Sequence, residues 1–155
     1  MGHNRAMERY HPWRQLRDHH PDVSVTCRYV LPGNLKGAWT RHGIYLHRDL
    51  DQAGRRSTLA HELVHKERGS LCRRTINSRM TAAELREERA VDEIAARRLI
   101  PIRDLVDALA WCRWEVTAET AGELWCDLAM LVVRVQTLTI AERRYINEEV
   151  SRRQP

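Results

Sequence analysis

Two histidines four residues apart, His61 and His65, with Glu62 directly after the first, stand in the stretch STLAHELVHKERG at residues 57–69. On a helix a four-residue step is about 40° of rotation and one turn of rise, so both imidazoles can aim at a common point. Zinc accepts such nitrogens at about 2.0–2.1 Å. Glu62 lies about 100° round from His61, a poor position for a third ligand. It can instead reach a water on the open side of the metal and act as a general base. The same spacing also occurs on an amphipathic helix with two surface histidines. The metal reading therefore requires a third protein ligand from elsewhere in the chain.

The next helical stretch offers one. TAAE at 81–84 is a capping box, with the Thr81 hydroxyl and the Glu84 carboxylate each poised to bond a free backbone amide. The helix it opens is predicted to run to about Ile100, where Pro101 intervenes. Its inward stripe is Leu85, Glu88, Asp92, Ala95 and Leu99, so two carboxylates sit where apolar residues belong. Buried carboxylates are costly unless bonded to something. Glu88 is accordingly assigned as the third ligand. Asp92, one turn on, can accept the outer N–H of a zinc-binding histidine and fix its tautomer. Glu84 is occupied by the capping box, and Glu87 points away from the stripe.

The remaining elements must hold these two helices together. Residues 7–19 read as a short helix stopped by Pro21. VSVTCRYVL at 23–31 alternates as a strand, and residues 36–50 read as two further strands folded about His42 and Gly43. The metal helix is predicted from about Asp51 to Glu67, ending near Gly69, with Leu59, Leu63, Ala60 and Val64 on its buried side. A helix from Ile102 to about Trp114 follows, and TIAE at 139–142 is a second capping box opening a last helix. The sum is α+β: a small antiparallel sheet with helices packed on it, then an all-helical tail. Residues 1–101 are expected to form the core and residues 102–155 a helical subdomain packed on it.

STLAHELVH, followed after a short excursion by ERAVDEIAARRLIP, resembles the ImmA/IrrE metallopeptidases. Their pattern is HExxH, then a glutamate ligand in E-x-x-A-N-x-F-A-A-x-L-L-x-P. Glu88 falls on the ligand glutamate, and Ala95, Ala96, Leu99 and Pro101 fall on the trailing residues. Val91 stands where alanine is usual and Asp92 where asparagine is usual, giving the ExxxD spacing of thermolysin-like zincins. The resemblance spans roughly residues 23–101. It implies a zincin-type site with Zn2+ on His61, His65 and Glu88 and with Glu62 as the catalytic base. It also implies a cytoplasmic endopeptidase of the kind phages and mobile elements encode, whose substrate is a helix-turn-helix transcriptional repressor. A second oxyanion donor is left open among Tyr45, His47 and Arg48. The strand around Ile44–His47 is a candidate to pair with an extended substrate.

The rival class is a non-catalytic regulator that binds DNA or a partner protein. Its basis is the tail: AGELWCDLAMLVVRVQTL at 121–138 has helix-turn-helix spacing, with Asp127 able to cap the second helix and Trp125 where a turn glycine is usual. That helix offers only Arg134 and Gln136 to meet bases, whereas DNA readers present several polar side chains. The net charge of +5 is carried by arginines interleaved with acids, which reads as a solvated face and argues against DNA. Trp111, Trp114 and Trp125 read as core. Cys27, Cys72, Cys112 and Cys126 form no CxxC pair and read as free thiols. No run approaches the ~20 apolar residues of a membrane span, and the first twenty residues lack a signal peptide's apolar stretch, so the expected location is the cytoplasm.

Overall fold

A computed structural model describes residues 9–70 and 79–154. Helix α1 (Pro12–His19) precedes a three-stranded sheet of β1 (Val25–Thr26), β2 (Gly37–Thr40) and β3 (Gly43–Leu46). Six helices follow: α2 (Gln52–Arg68), α3 (Ala82–Leu99), α4 (Ile102–Trp111), α5 (Ala118–Glu123), α6 (Leu128–Gln136) and α7 (Ile140–Arg153). The architecture is α+β, as the sequence predicts.

The sheet order is β1-β3-β2. β2 and β3 form the expected antiparallel hairpin, with Thr40 opposite Gly43. Gly43 has φ +124°, and a Cβ there would lie 2.4 Å from Ser24 Oγ, so both backbone and space require glycine. β1 adds a parallel pair, Val25 opposite Ile44. The chain crosses β3 between β1 and β2, which leaves β1 on the far edge running with β3. Of the strand expected at 23–31, only two residues enter the ladder. Val23, Val25 and Cys27 pack against the cluster under the sheet, as the alternation predicts, but Tyr29, expected on the same side, faces solvent with Val30.

Helix α2 has Asp51 as N-cap, its side chain accepting from Gly54 N at 2.7 Å, and Gly69 in the left-handed conformation as C-cap. It is buried on two faces at once. Leu59 and Leu63 pack under the sheet with Ile44 and Leu46, while Ala60 and Val64 pack against Val91, Ala95 and Ala96 of α3. His61 and His65 occupy the stripe between these faces. α3 starts at the Thr81 capping box, with both reciprocal hydrogen bonds made. Leu85, expected on its inward stripe, is 43% exposed instead. Glu87 already meets Arg68, the last residue of α2, and Ser70 just past its cap, so the preceding turn of α3 has outrun its partner helix.

The tail packs α6 against α3 and α4 against α7. Asp127 caps α6, accepting from Met130 N at 2.8 Å, as predicted. Trp125 takes the left-handed turn position with φ +55°, at a cost of about 1–2 kcal/mol for a side chain other than glycine. Its carbonyl accepts from the buried Arg56 guanidinium at 3.0 Å, and Leu124 O and Tyr10 O accept from the same group. Arg134 is 2% exposed. It donates to Ile100 O at 2.8 Å and to both Glu142 oxygens, so this expected base-reading side chain ties α6 and α7 to the end of α3. Trp111 and Trp125 are exposed and are not core; only Trp114 of that cluster packs against it. α4 stops at Trp111 because Arg113 and Trp114 adopt positive φ. Cys27, Cys112 and Cys126 are free thiols, and Cys72 lies outside the described residues.

Candidate metal centre

The i, i+4 pair on α2 and Glu88 on α3 converge. His61 Nε2 and His65 Nε2 are 3.0 Å apart. Glu88 Oε1 lies 3.0 Å from His65 Nε2, and its Oε2 lies 3.3 Å from His61 Nε2. All three residues are buried, and among the described residues they form a group able to hold a metal ion. α2 and α3 pack through a shared cluster that holds Ala60 and Val64 of one helix and Val91, Ala95 and Ala96 of the other.

The outer nitrogens determine what the inner ones can be. His61 Nδ1 lies 2.8 Å from Asp92 Oδ1, an acceptor, so Nδ1 carries the proton. His65 Nδ1 lies 3.0 Å from Ser70 Oγ, whose own proton is directed to Glu87 Oε1 at 3.2 Å; the hydroxyl therefore accepts from His65. In neutral imidazoles of this tautomer both Nε2 atoms present lone pairs. Two lone pairs and a carboxylate then face one another, an arrangement that a cation satisfies. Burial alone would raise the Glu88 pKa; hydrogen bonds from His61 and His65, which need a proton on Nε2, would hold the carboxyl well below the ordinary carboxylate range, so such protons and a cation are alternatives at this point. Glu87 is engaged by Arg68 and Ser70, and Glu84 by the Thr81 amide, so neither enters the cluster.

Glu62 lies beside the cluster, 2% exposed. Burial pushes its pKa up, against the nearby His61 and His65 and a hydrogen bond from the Trp39 amide. Its Oε2 has no hydrogen-bond partner among the described residues. Gly37 explains how the strand comes this close. A Cβ at that position would lie 2.4 Å from Thr58 Cγ2 and 3.2 Å from Glu62 Oε1. Sequence reasoning missed Gly37, the Trp39 amide and Ser70. The glycine opening a predicted strand was the one available signal.

Tyr45, His47 and Arg48 do not line the cavity beside Glu62. Tyr45 stacks obliquely on Tyr29, His47 Nδ1 accepts from Asp49 N, and Arg48 pairs with Asp49. β3 cannot pair with a substrate either, since β1 and β2 occupy both its edges. The free edge beside α2 belongs to β2. Lys36 O accepts from His47 N at 2.7 Å, so the alternation of the ladder turns the amides of Gly37 and Trp39 away from β3.

A small sheet, two packed helices and a buried His-His-Glu cluster beside a further buried carboxylate define a metallopeptidase type of site. The chain belongs to the IrrE N-terminal-like domain family of metallopeptidases, whose sequence model matches residues 23–121. The match takes in the sheet, α2, α3 and α4 and ends within α5, before α6. No curated protein and no solved structure matches the chain. Among the described residues no helix is long and apolar enough to cross a membrane.

Proposed function

We propose that the protein is a zinc-dependent endopeptidase with His61, His65 and Glu88 as metal ligands and Glu62 as catalytic base. The observation that carries this reading is the convergence of two imidazole lone pairs and a carboxylate beside a buried glutamate. The donor set fits zinc. One donor atom from each of the three residues lies within 4.8 Å of the others, compared with about 3.3–3.4 Å between tetrahedral ligands held at about 2.0–2.1 Å.

When bound there, zinc supplies an acidified water and a Lewis acid for the scissile carbonyl. Glu62 takes the proton from the attacking water and delivers it to the leaving nitrogen. Its burial raises its proton affinity towards that task. The Trp39 amide fixes one side of the carboxylate and leaves Oε2 to exchange the proton. Asp92 acts through His61, holding the ring and its tautomer. With the Trp39 amide held by Glu62, the outward Gly37 groups and the Trp39 carbonyl of β2 are left to offer an extended substrate main-chain hydrogen bonds.

We assign residues 1–101 as the peptidase core, residues 102–155 as a helical subdomain packed on it, and the cytoplasm as the place of action. The proposed substrate is a helix-turn-helix transcriptional repressor, on the strength of the resemblance to ImmA/IrrE enzymes. The burial of Arg134 speaks against a DNA-reading regulator. The test is metal analysis of the purified chain beside cleavage of the candidate repressor. About one zinc per chain is expected, and Glu62→Gln should keep the metal and lose about 10²–10⁴-fold in rate. Undiminished cleavage by that variant would remove Glu62 from the mechanism.

A further inference from the structure

His61 and Glu62 open into a cavity of about 180 Å³ that reaches from the loop before β2 to the first turns of α6. Its far wall is apolar: Leu35 on the loop side, and Ala129, Met130 and Val133 on α6. Those three α6 residues share one face by the i, i+1, i+4 spacing of a helix. Apart from Glu62, the charged side chains around the cavity are engaged. Lys36 Nζ and Asp127 Oδ2 pair at 3.3 Å, and Asp92 is engaged by His61. A charged side chain lodged against the α6 wall meets only Ala129, Met130 and Val133 there, while an apolar one gains burial. An apolar cavity of roughly 150 Å³ holds a benzene ring, so this one has room for a single aliphatic or one-ring aromatic side chain.

We infer that this cavity is the side-chain subsite next to the scissile bond and that α6 is its specificity wall, selecting leucine, methionine or phenylalanine in the substrate. The inference rests on the peptidase reading of the site and adds to it the substrate class. It also gives the tail a role in recognition. The α6 residues of the wall, Ala129, Met130 and Val133, lie beyond the family match, which ends at residue 121, while Leu35 lies within it. A filled apolar subsite is worth about 10–100-fold in kcat/KM over an empty one.

Two measurements on the full chain test this. In the first, a randomised peptide mixture is digested by the zinc-loaded protein and the cut sites are read by mass spectrometry. Leucine, methionine or phenylalanine should exceed glycine, aspartate and lysine by about tenfold or more at one position flanking the cut. Val133→Phe and, from the exposed side, Ala129→Leu should move that preference to alanine and glycine without loss of zinc. In the second, the Met130 methyl signal is followed by NMR in metal-free protein. It should shift on addition of N-acetyl-leucinamide, stay put with N-acetyl-aspartamide, and lose the response in Ala129→Leu. A Met130 methyl unmoved by leucinamide, or a cleavage preference unchanged in both filled variants, overturns the subsite. A Met130 response without hydrolysis of any peptide upholds the subsite and overturns the peptidase reading instead.

Discussion

Asp92 Oδ1 lies 2.8 Å from Nδ1 of His61, on the opposite side of the ring from His65 and Glu88. The aspartate thus meets a candidate ligand without being one. Asp92→Ala should keep the fold and weaken zinc binding by about 10–100-fold, read by competition with a chromogenic chelator. Asp92→Asn keeps an acceptor oxygen and should fall between the two. Equal affinities in all three proteins would mean that the contact sets nothing.

Glu87 and Glu88 are adjacent in sequence and opposite in role. Glu88→Ala removes one of three donors and should purify with little zinc. Glu87→Ala breaks an exposed pair with Arg68, worth about 0–1 kcal/mol, and should retain the metal. Elemental analysis of the two variants decides the assignment, and a reversed result would transfer the ligand to Glu87.

Gly37→Ala should disturb the site through Thr58 rather than through the metal. The new methyl would meet Thr58 Cγ2 at 2.4 Å and force the strand away from α2. A loss of about 1–3 kcal/mol in stability is expected, together with reduced cleavage. Thr58→Ser deletes the obstructing methyl, so the double variant Gly37→Ala/Thr58→Ser should recover part of both. Strictly additive losses in urea unfolding would show that the clash is not the cause.

Glu142 links pH to the attachment of the tail. Its hydrogen bonds with the buried Arg134, aided by Arg97, lower its pKa from 4.5 to about 2. A carboxyl with a depressed folded pKa stabilises the protein above its unfolded value and loses that contribution as pH falls towards the folded one. Glu142→Gln should therefore cost about 1–3 kcal/mol at pH 7, and the gap from wild type should close between pH 4.5 and 2. Denaturation midpoints across that range measure it, and a gap that persists at pH 2 would rule out the ionic origin.

The parts of the site that follow from helix periodicity were legible in the sequence. The four-residue step of His61 and His65, the two capping boxes, the Gly69 stop and the displaced carboxylates of α3 all express local geometry. What escaped depends on neighbours that no local pattern specifies. Gly37 matters because β2 crosses Thr58, twenty-one positions away in sequence. Pairing was expected at β3, but sheet order places the free edge on β2, and order is set by a crossover rather than by alternation. Leu85, Trp111 and Trp125 were read inward from residue type and spacing, yet nothing among the described residues covers them enough to bury them. Arg134 shows the converse, a charged residue buried because a carboxylate and a helix-end carbonyl await it.

Helix α2 is clamped between two apolar clusters before any ion arrives, one under the sheet and one against α3. The buried imidazoles it carries are consequently positioned by folding itself, so the proposed centre would be preorganised. The conformational entropy of ordering three ligands is met in that step and not at the moment of capture. Preorganisation of this kind makes the affinity of the centre a property of the whole core. A substitution such as Leu59→Ala, which touches no ligand, would loosen the clamp and let the metal go. In return, an ion bound by the proposed ligands would add its binding free energy to the native state alone, raising the melting temperature with concentration by mass action.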